Sequence, residues 1–375
     1  MSLGRTDVGG VAARAAVQAH WDPVPGYLNV AAMGLPPREV VAAMAADLQA
    51  WRTGAVGPAD YDGAVARART AFARLVAVDP GRVAIGSQVS ALVGAVAAGL
   101  PDGARVVVPV GEFTSVTFPF MVHGDRGIVV EHVPLDRLSE AVRPGVDVVA
   151  FSLVQSADGR VVDLEAVSAA ARAAGTLVVA DLTQAAGWLP VDAARLDVTV
   201  TGAYKWLCSP RGSAFMTIGA DAARRLRPVN AGWYAGQVPW ASVYGPDMEL
   251  AADARRFDTS PAWPVWVGTA AAVELFAGLF VDAGPEVAGF VRGHGAALAD
   301  LARSGLGRPP VGLPVLALPD AGGAAADALR RTGCQVASRA GGVRISFHLW
   351  NDEDDVDRVV EALRSVPGLG GRQAP

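Results

Sequence analysis

The chain has 375 residues, of which 51% are hydrophobic and 18% are charged, and 32 basic and 37 acidic residues leave a net charge of -5. Such a chain can bury a large core and exceeds one domain of ordinary size, so we expect two lobes. The basic residues form no block, which argues against a nucleic-acid partner.

Short apolar runs alternate with helical patterns between residues 82 and 219, and the runs lack the polar alternation of a half-exposed sheet. The clearest helix follows Asp163, a good N-cap residue, and ends at Gly175. The pattern predicts an α/β fold with a mainly parallel central sheet and helices on both faces. The predicted strands, all buried on both faces, are 82–87, 104–109, 127–134, 147–153, 176–182, 197–203 and 214–219.

Residues 232–266 are rich in Gly, Pro and Trp and show weak periodicity, which indicates a functional segment or an interface. Helices are predicted at about 266–281 and 285–303. Two short strands follow, VLALP and GVRISFHLW, and the closing helix DEDDVDRVVEALRSV begins with acidic residues, as its dipole favours.

This order of elements predicts three parts. Residues 1–40 form an N-terminal segment that packs on the small domain and the active site. Residues 41–265 form the large domain, and residues 266–375 form a smaller α+β C-terminal domain.

The cysteines and the apolar runs set the expected environment. Cys208 and Cys334 cannot form a disulfide framework and show no CxxC spacing, so we expect a reducing, cytoplasmic setting and no metal site. The sequence shows no signal-peptide pattern and no run of about 18 consecutive apolar residues. We therefore expect no contact with a membrane.

Two charged side chains follow predicted strands. Asp181 emerges from a buried strand, where an unpaired carboxylate costs about several kcal/mol, so it either has a partner or caps the next turn. Lys205 lies between Tyr204 and Trp206 at the end of the following strand. A desolvated lysine has a lowered pKa and can attack a carbonyl, whereas a lysine that extends along a strand edge is the alternative.

An anion site and an aromatic ring are predicted at two other strand ends. In IGSQVSALVGAVAAGL a helix begins at about Gln88, and its free amides with the Ser87 and Ser90 hydroxyls favour an anion such as phosphate, although many helices begin this way. Phe113 lies either against a planar ligand or in the core. Neither GxGxxG nor GxxxxGK[ST] occurs, which argues against dinucleotides and P-loop nucleotides.

Together these residues provide a carboxylate for a ring nitrogen, an amine for an aldehyde, a cradle for a phosphate and an aromatic plate for a ring face. Pyridoxal 5'-phosphate requires that set, because it binds as a lysine Schiff base with an aspartate on its pyridinium nitrogen. We therefore predict this cofactor and an α-amino acid as the small-molecule substrate.

The sequence also resembles the class V aminotransferases of fold type I, which include cysteine desulfurases, kynureninases, isopenicillin N epimerase-like enzymes and carbon-sulfur lyases. The resemblance implies the fold of type I pyridoxal-phosphate enzymes and a homodimer with shared active sites. The segments that carry it, in chain order, are YLNVAAMGLPP, VQSADGRVVDLEAV, VVADLTQAAGWLPVD, TGAYKWLCSPRGSAFM, RRFDTSPAW and GVRISFHLWNDEDDVD.

The resemblance also implies roles for individual residues. Lys205 would form the internal aldimine and Asp181 would pair with the pyridinium nitrogen. Arg344 would grip the substrate carboxylate as a bidentate fork, with Asn29 also at the substrate. The remaining implied cofactor contacts are Gln184 to the ring hydroxyl, Gln88, Val89 and Ser90 to the phosphate, Phe113 on the ring face, Tyr204 to the phosphate, and Thr259 or Ser260 to the phosphate of the neighbouring subunit.

Two departures from the family pattern narrow the function. Desulfurases carry a nucleophilic cysteine on a loop shortly before the carboxylate arginine, whereas this chain passes from ASRAGG to VRIS without one. Cys334 lies in apolar surroundings typical of a core position, and Cys208 has no acid-base partner nearby in sequence. Persulfide chemistry is therefore disfavoured. Among the histidines, His348 lies nearest the expected site and faces either the site or solvent.

We expect Lys205 to remove the Cα proton and to leave a quinonoid. β-Elimination, as in carbon-sulfur lyases and desulfurase-related enzymes, is favoured because YKWLCSPRG and RFDTSPAW resemble branches rich in non-transaminating members. Transamination and epimerisation use the same residues and stay open. Two alternatives come from other classes. One is a noncatalytic relative that keeps the cofactor as a fold element or binds a partner through its Trp-rich segment, and the other is a nicotinamide oxidoreductase, although its glycine fingerprint is absent.

Overall fold

The computed structural model describes residues 10–369. The first nine residues of the predicted N-terminal segment and the last six of the predicted small domain therefore lie outside the described residues. The strands are β1 Val83–Gly86, β2 Arg105–Pro109, β3 Val129–Val133, β4 Val148–Ser152, β5 Leu177–Asp181, β6 Val198–Gly202, β7 Ala214–Ile218, β8 Val315–Pro319, β9 Ala337–Arg339 and β10 Gly342–Ser346.

The helices are interspersed among these strands. Short 3-10 turns and one π-helical turn, Gly278–Asp282, connect some of them. The helices are α1 Val11–Gln18, α2 Arg38–Arg52, α3 Asp62–Leu75, α4 Val89–Gly99, α5 Thr114–Met121, α6 Leu138–Ala141, α7 Leu164–Ala174, α8 Ala220–Arg225, α9 Trp263–Ala277, α10 Gly284–Gly305, α11 Ala324–Arg331 and α12 Glu353–Arg364.

The central sheet has seven strands in the order β1-β7-β6-β5-β4-β2-β3. Strands β2 to β6 pair in parallel, and β7 runs antiparallel to both of its neighbours. Alternate residues of β5 enter two cores on opposite faces of the sheet: Val178 and Ala180 in one, Leu177 and Val179 in the other. The predicted α/β class with helices on both faces is confirmed.

Burial of every strand on both faces was wrong for β3. Its residues are exposed or half-buried, Val129 being 50% exposed. Within residues 10–369 the strand pairs with β2 alone and so forms an edge of the sheet. The apolar composition of β3 resembles that of an inner strand. The number of strands that flank it is set by the order of the strands in the sheet, which composition does not reveal.

Helix α7 shows the predicted local signals at both ends. The Asp163 carboxylate accepts a hydrogen bond from the Ala166 amide at 3.0 Å, and Gly175 ends the helix with φ of 71°. A residue with a Cβ atom adopts that left-handed conformation only with strain. The helix is therefore delimited by its own sequence.

The C-terminal part is built on a second sheet in the order β8-β10-β9, all antiparallel. The N-terminal segment adds to it, because Tyr27 bridges Gln335 and Asn29 bridges Ser346. Helix α9, which opens the predicted small domain, packs against α2 and α3. The domain limits at residues 40 and 265 stay a prediction.

Helix α9 and the π-helical turn form one apolar stretch. Among residues 10–369 this is the helix that could cross a membrane by length and composition, with a mean hydropathy of 1.6 in a window that is 56% buried. Buried core helices of globular proteins have the same composition, so the indication is weak. Glu274 interrupts this apolar stretch, which therefore contains no run of about 18 consecutive apolar residues.

A buried ion pair ties α3 to the segment that follows the Trp-rich region. Arg69 Nη2 lies 2.7 Å from Asp258 Oδ2, and the two side chains are 10% and 1% exposed. Asp258 Oδ1 also accepts the amide of Ile85 in β1 at 2.8 Å. Burial raises the pKa of Asp258 to about 6, against the lowering effect of Arg69.

We predict that Arg69→Met lowers the free energy of unfolding by about 3 kcal/mol or more, because it leaves the Asp258 carboxylate buried without its partner. Arg67, on the same helix, provides the control: its pair with Glu274 is 57% and 42% exposed, so Arg67→Met should cost less than about 1 kcal/mol. Urea unfolding measures both. Equal losses of unfolding free energy in the two variants would contradict a stabilising role for the buried Arg69 and Asp258 pair.

Candidate active site

A cavity of about 310 Å³ lies where β1, β2, β5 and β6 end. It brings together several predicted site residues from segments far apart in the chain. Its lining consists of Ser87, Gln88, Val89, Ser90, Phe113, Ser115, Asp181, Thr183, Gly202, Tyr204, Lys205, Arg211, Gly212 and Ser213.

A second cavity, of about 670 Å³, lies elsewhere and contains none of the predicted site residues. Its walls come from the end of α3, the start of α7 and the π-helical turn, with Leu153, Leu189 and Phe280 among them. By size alone, this second cavity would be the better candidate for the active site. The smaller one holds a buried carboxylate and a buried amine with shifted pKa values, which is the better indication of a reactive centre.

Asp181 is the last residue of β5 and is 4% exposed. Its Oδ1 accepts the backbone amide of Thr183 at 2.8 Å. Burial raises the pKa of this carboxyl from its ordinary 3.8 to about 6, while hydrogen bonds from Thr183 and the charge of Lys205 oppose the rise. The ionised carboxylate is thus poorly compensated by the protein alone, and a cationic ligand group would stabilise it.

Lys205 lies three residues beyond the end of β6 and is 5% exposed. Its Nζ atom lies 5.3 Å from the centre of the Phe113 ring and 5.7 Å from that of Tyr204. Burial lowers the pKa of this amine from 10.5 to about 8, because the gain from Asp181 does not offset desolvation and the nearby arginines. At pH 7 about a tenth of the amine is therefore neutral and able to act as a nucleophile.

Gly34 allows the N-terminal segment to lie directly against the lysine loop. Its amide donates to the Tyr204 carbonyl at 2.9 Å. A Cβ atom at this position would lie 2.2 Å from the Lys205 carbonyl oxygen. Only glycine permits this approach without moving the Lys205 backbone.

The start of α4 faces the cavity with unsatisfied donors. Gln88, the N-cap residue, is extended, with φ of -164°, and its side chain makes no capping hydrogen bond. The amides of the first turn and the Ser87 and Ser90 hydroxyls are therefore free to bind an anion. Thr259 and Ser260 lie beside Ser87 and Gly212 of the same chain, in a small adjoining cavity.

Gln184, Arg344 and Asn29 do not line the cavity. The Gln184 amide donates to the Ala31 carbonyl at 2.9 Å and to Ser156 Oγ at 3.3 Å, and its oxygen accepts from Trp206 Nε1 at 2.7 Å. The role of Gln184 at the ring hydroxyl stays a prediction.

Arg344 and Asn29 each have one buried polar atom without a hydrogen-bond partner within residues 10–369. Arg344 is 2% exposed, and its Nη1 donates to the Ser156 carbonyl. Arg344 Nε and Asn29 Oδ1 are buried without a hydrogen-bond partner among residues 10–369. Burial lowers the pKa of Arg344 to about 10. The guanidinium remains charged near neutral pH and can donate hydrogen bonds to a carboxylate.

His348 and the cysteines lie outside the cavity. His348 Nε2 contacts the Trp206 carbonyl at 3.0 Å within an aromatic cluster, and burial lowers its pKa to about 3, so this histidine faces neither the site nor solvent. Burial raises the pKa of the thiols of Cys208 and Cys334. Trp233 and Trp240 of the Trp-rich segment pack on each other, and their ring centres are 4.9 Å apart.

Sequence reasoning missed Arg211 and Thr183. Arg211 lines the cavity, and its guanidinium lies 5.4 Å from the centre of the Tyr204 ring. Thr183 Oγ1 accepts the Gly202 amide at 2.9 Å and so joins the ends of β5 and β6. The turn SPRG after Lys205 was the available signal for Arg211. Among residues 10–369 no group of His, Cys, Asp or Glu is arranged to hold a metal ion.

Comparison with known proteins shows the family to which the chain belongs. The family profile described as aminotransferase class-V matches residues 27–284, more than half of the chain. The chain belongs to this family. The resemblance seen in the sequence is thereby confirmed.

Two curated relatives show how far the similarity extends. The chain is 28% identical over 218 residues to the uncharacterized aminotransferase YcbU of Bacillus subtilis, a match that covers 56% of the chain and 57% of the relative. It is 26% identical over 404 aligned residues to the isopenicillin N epimerase of Amycolatopsis lactamdurans, covering 94% of the chain and 98% of the relative. The second match thus extends over almost the whole of both proteins.

Solved structures share the fold at lower identity. The complex of the cystine C-S lyase C-DES with cysteine persulfide superposes with a TM-score of 0.79 at 20% identity, covering 90% of the chain and 96% of that structure. The cysteine desulfurase CsdA of Escherichia coli gives a TM-score of 0.77 at 21% identity, with coverage of 93% and 97%. These similarities confirm the fold class.

We predict that Asp181→Asn stabilises the cofactor-free protein at pH 7 by about 3 kcal/mol, because the folded-state pKa of about 6 exceeds the ordinary 3.8 and the buried charge therefore opposes folding, with its full effect above pH 6. The gain should shrink as the pH falls from 6 toward 4, because the wild-type carboxyl is then protonated in the folded state and increasingly protonated in the unfolded state. Thermal unfolding over this pH range measures it. Asp125→Asn, at an exposed position, is the control, and equal stabilities of wild type and Asp181→Asn at pH 7 would contradict the prediction.

Proposed function

We propose that the protein is a pyridoxal 5'-phosphate-dependent enzyme that acts on an α-amino acid, either as a lyase or as an aminotransferase. Membership of the class-V aminotransferase family supports this function. The observation that carries it is that Lys205, Asp181, Phe113 and the start of α4 surround one cavity.

The residues around this cavity fit each part of the cofactor. The neutral amine of Lys205 suits an aldehyde, and the Asp181 carboxylate suits a protonated ring nitrogen. The free amides at the start of α4 suit a phosphate, and the exposed face of Phe113 suits a flat ring. Once bound, the cofactor supplies an electron sink for the charge that develops when a bond to Cα breaks.

Lys205 has a second task in this proposal. If the substrate amine took its place on the aldehyde, the Lys205 amine would be free in the same cavity to act as a base. An amine with a pKa of about 8 accepts a proton efficiently near neutral pH. We therefore assign removal of the Cα proton to Lys205.

Arg344 and Asn29 are proposed to bind the substrate carboxylate. The unpartnered Arg344 Nε and the remaining guanidinium protons can donate to the two carboxylate oxygens. Asn29 lies in register with Ser346, two residues beyond Arg344 on β10, and is therefore close to the same side of the site. A carboxylate held there leaves the amino group of the substrate free to reach the cofactor.

We favour β-elimination as the reaction. Persulfide transfer needs a reactive thiolate, but Cys208 and Cys334 are both buried with raised pKa values and neither lines the cavity. The similarity of fold to a cystine C-S lyase agrees with elimination.

Epimerisation is the second candidate. The relative that matches the chain over almost its full length is an isopenicillin N epimerase. The Tyr204 hydroxyl offers a proton donor beside Lys205, since burial raises its pKa and keeps it protonated. Transamination needs only Lys205 as base and stays open.

We predict that S-substituted cysteines release pyruvate without a 2-oxo acid acceptor, because the Lys205 amine can trigger loss of the β-substituent. The purified protein should show an absorption band at about 420 nm, and Lys205→Ala should lose both this band and the activity. Pyruvate assays with and without acceptor measure the reaction. Dependence on the acceptor would favour transamination instead, and inversion at Cα with uptake of solvent deuterium and no pyruvate would favour epimerisation.

We also propose a homodimer whose subunits complete each other's phosphate sites through Thr259 or Ser260. Large apolar side chains lie exposed on the Trp-rich segment and on α2, including Tyr244 at 93%, Met248 at 78% and Trp51 at 62%. Such a concentration of exposed apolar side chains supports a contact with a second copy. Thr259 also lies near Ser87 of its own chain, so a contribution within one subunit is the competing arrangement.

We predict a particle of twice 38.5 kDa by light scattering. Mixing Lys205→Ala subunits with Thr259→Ala subunits should then restore cofactor affinity in a fraction of the sites, because one site of each mixed dimer receives Lys205 from one chain and Thr259 from the other. Fluorescence titration with pyridoxal 5'-phosphate measures this recovery. Absence of recovery in proven mixed dimers would place Thr259 in the site of its own subunit.

A further inference from the structure

Glu112 is a buried carboxylate that the proposed chemistry does not use. It directly precedes Phe113 and is 7% exposed. Its oxygens accept hydrogen bonds from the Phe113 amide at 2.7 Å, the Ser152 amide at 2.8 Å, the Ser152 hydroxyl at 2.5 Å and the Gln155 side chain at 3.0 Å. A buried carboxylate with so many donors is held in one orientation, and its loss would leave these donors unpaired.

One branch of this network reaches Phe113, the aromatic residue proposed to lie on the cofactor ring and called the ring plate below. The Phe113 side chain is 40% exposed, so core packing does little to fix its ring. Its backbone amide is bound to Glu112 Oε1, at the residue that precedes α5. The position of the ring over Lys205 Nζ therefore depends on the backbone that Glu112 holds.

The other branch reaches the arginine of the substrate site. Gln155 Nε2 donates to both Glu112 Oε2 and the Ser152 carbonyl, each at 3.0 Å. The backbone of Gln155 closes a turn, because its amide donates to the Arg160 carbonyl at 2.8 Å. The next residue is Ser156, whose carbonyl accepts from Arg344 Nη1. Glu112 thus orients the turn that orients Arg344.

We propose that Glu112 is a positioning residue that couples the ring plate Phe113 to the carboxylate-binding Arg344, through its own bond to the Phe113 backbone and through Gln155 and Ser156. This inference rests on the proposed function for the roles of Phe113 and Arg344. Substrate and cofactor binding then depend on the orientation of one buried side chain that touches neither ligand.

Three variants separate the two branches. Glu112→Gln keeps the length but turns an amide NH2 toward a donor, and Glu112→Asp keeps the charge but is too short to serve both branches. Gln155→Met removes only the branch to Arg344 and leaves the bonds from Phe113 and Ser152 in place. Glu131→Gln is the matched control, because that carboxylate is 35% exposed and pairs with Arg143 at the surface.

The first measurement is amide hydrogen exchange over residues 155–159 in the protein without added cofactor. We expect exchange on the order of tenfold faster in Glu112→Gln and in Gln155→Met, because the turn loses its side-chain anchor, and no change in Glu131→Gln. Because this readout needs no cofactor, it decides the link from Glu112 to the turn even if the wild-type protein takes up no pyridoxal phosphate. A wild-type protein that takes up no pyridoxal phosphate would overturn the proposed function but not the link from Glu112 to the turn.

The second measurement separates the ligands. In Gln155→Met, KM for the amino acid should rise on the order of tenfold, with kcat and the dissociation constant for pyridoxal 5'-phosphate changed less than about twofold. Both Glu112 variants should weaken cofactor binding as well. Unchanged exchange in both Glu112→Gln and Gln155→Met overturns the proposal, and so does faster exchange with unchanged KM and cofactor affinity. If Glu112→Gln fails to fold, the results for Gln155→Met decide.

Discussion

The structure around the site depends on the burial of two opposite charges at the ends of adjacent parallel strands. Parallel pairing of β5 with β6 places Asp181 opposite Val200, so that the loop carrying Lys205 begins beside the carboxylate. The two groups interact through their charges without a direct hydrogen bond in the described structure, and desolvation moves the pKa of each toward neutrality. The protein therefore compensates the two charges only in part, and a cofactor with a cationic ring nitrogen and an aldehyde would compensate them further.

Holding these charges in place requires support from segments that are distant in sequence. The loop after Lys205 is anchored by a buried cluster of hydroxyls, in which Ser209 and Ser213 contact Thr269 of α9 at 2.8 and 2.7 Å. The Arg69 and Asp258 pair anchors the segment that carries Thr259 next to β1. Helix α9 therefore supports the loop that carries Lys205. The sequence had predicted this helix as the first element of the small C-terminal domain.

The proposed substrate side of the site is assembled differently, from the N-terminal segment and the second sheet. Arg14 on α1 forms a bidentate pair with Glu353 on α12, both bonds at 2.8 Å, and hydrogen bonding to Arg14 lowers the pKa of Glu353 to about 2. This pair and the bridge between Asn29 and Ser346 join the N-terminal segment to the C-terminal part. The Gly34 contact joins the same segment to the lysine loop. One stretch of chain thus connects the residues proposed to bind the substrate with the loop that carries Lys205.

Local patterns in the sequence were sufficient for the seven strands of the central sheet, for the ends of α7 and for the candidate roles of Asp181 and Lys205. Apolar runs and capping residues act within a few residues of chain, and a charge at the end of a buried strand is visible without a fold. Only the tertiary structure decided that β3 lies at an edge, that His348 lies in an aromatic cluster, and that the Gln184 amide binds Ala31, a residue 153 positions away. These outcomes depend on contacts between distant segments, and such contacts leave no periodic trace in the chain.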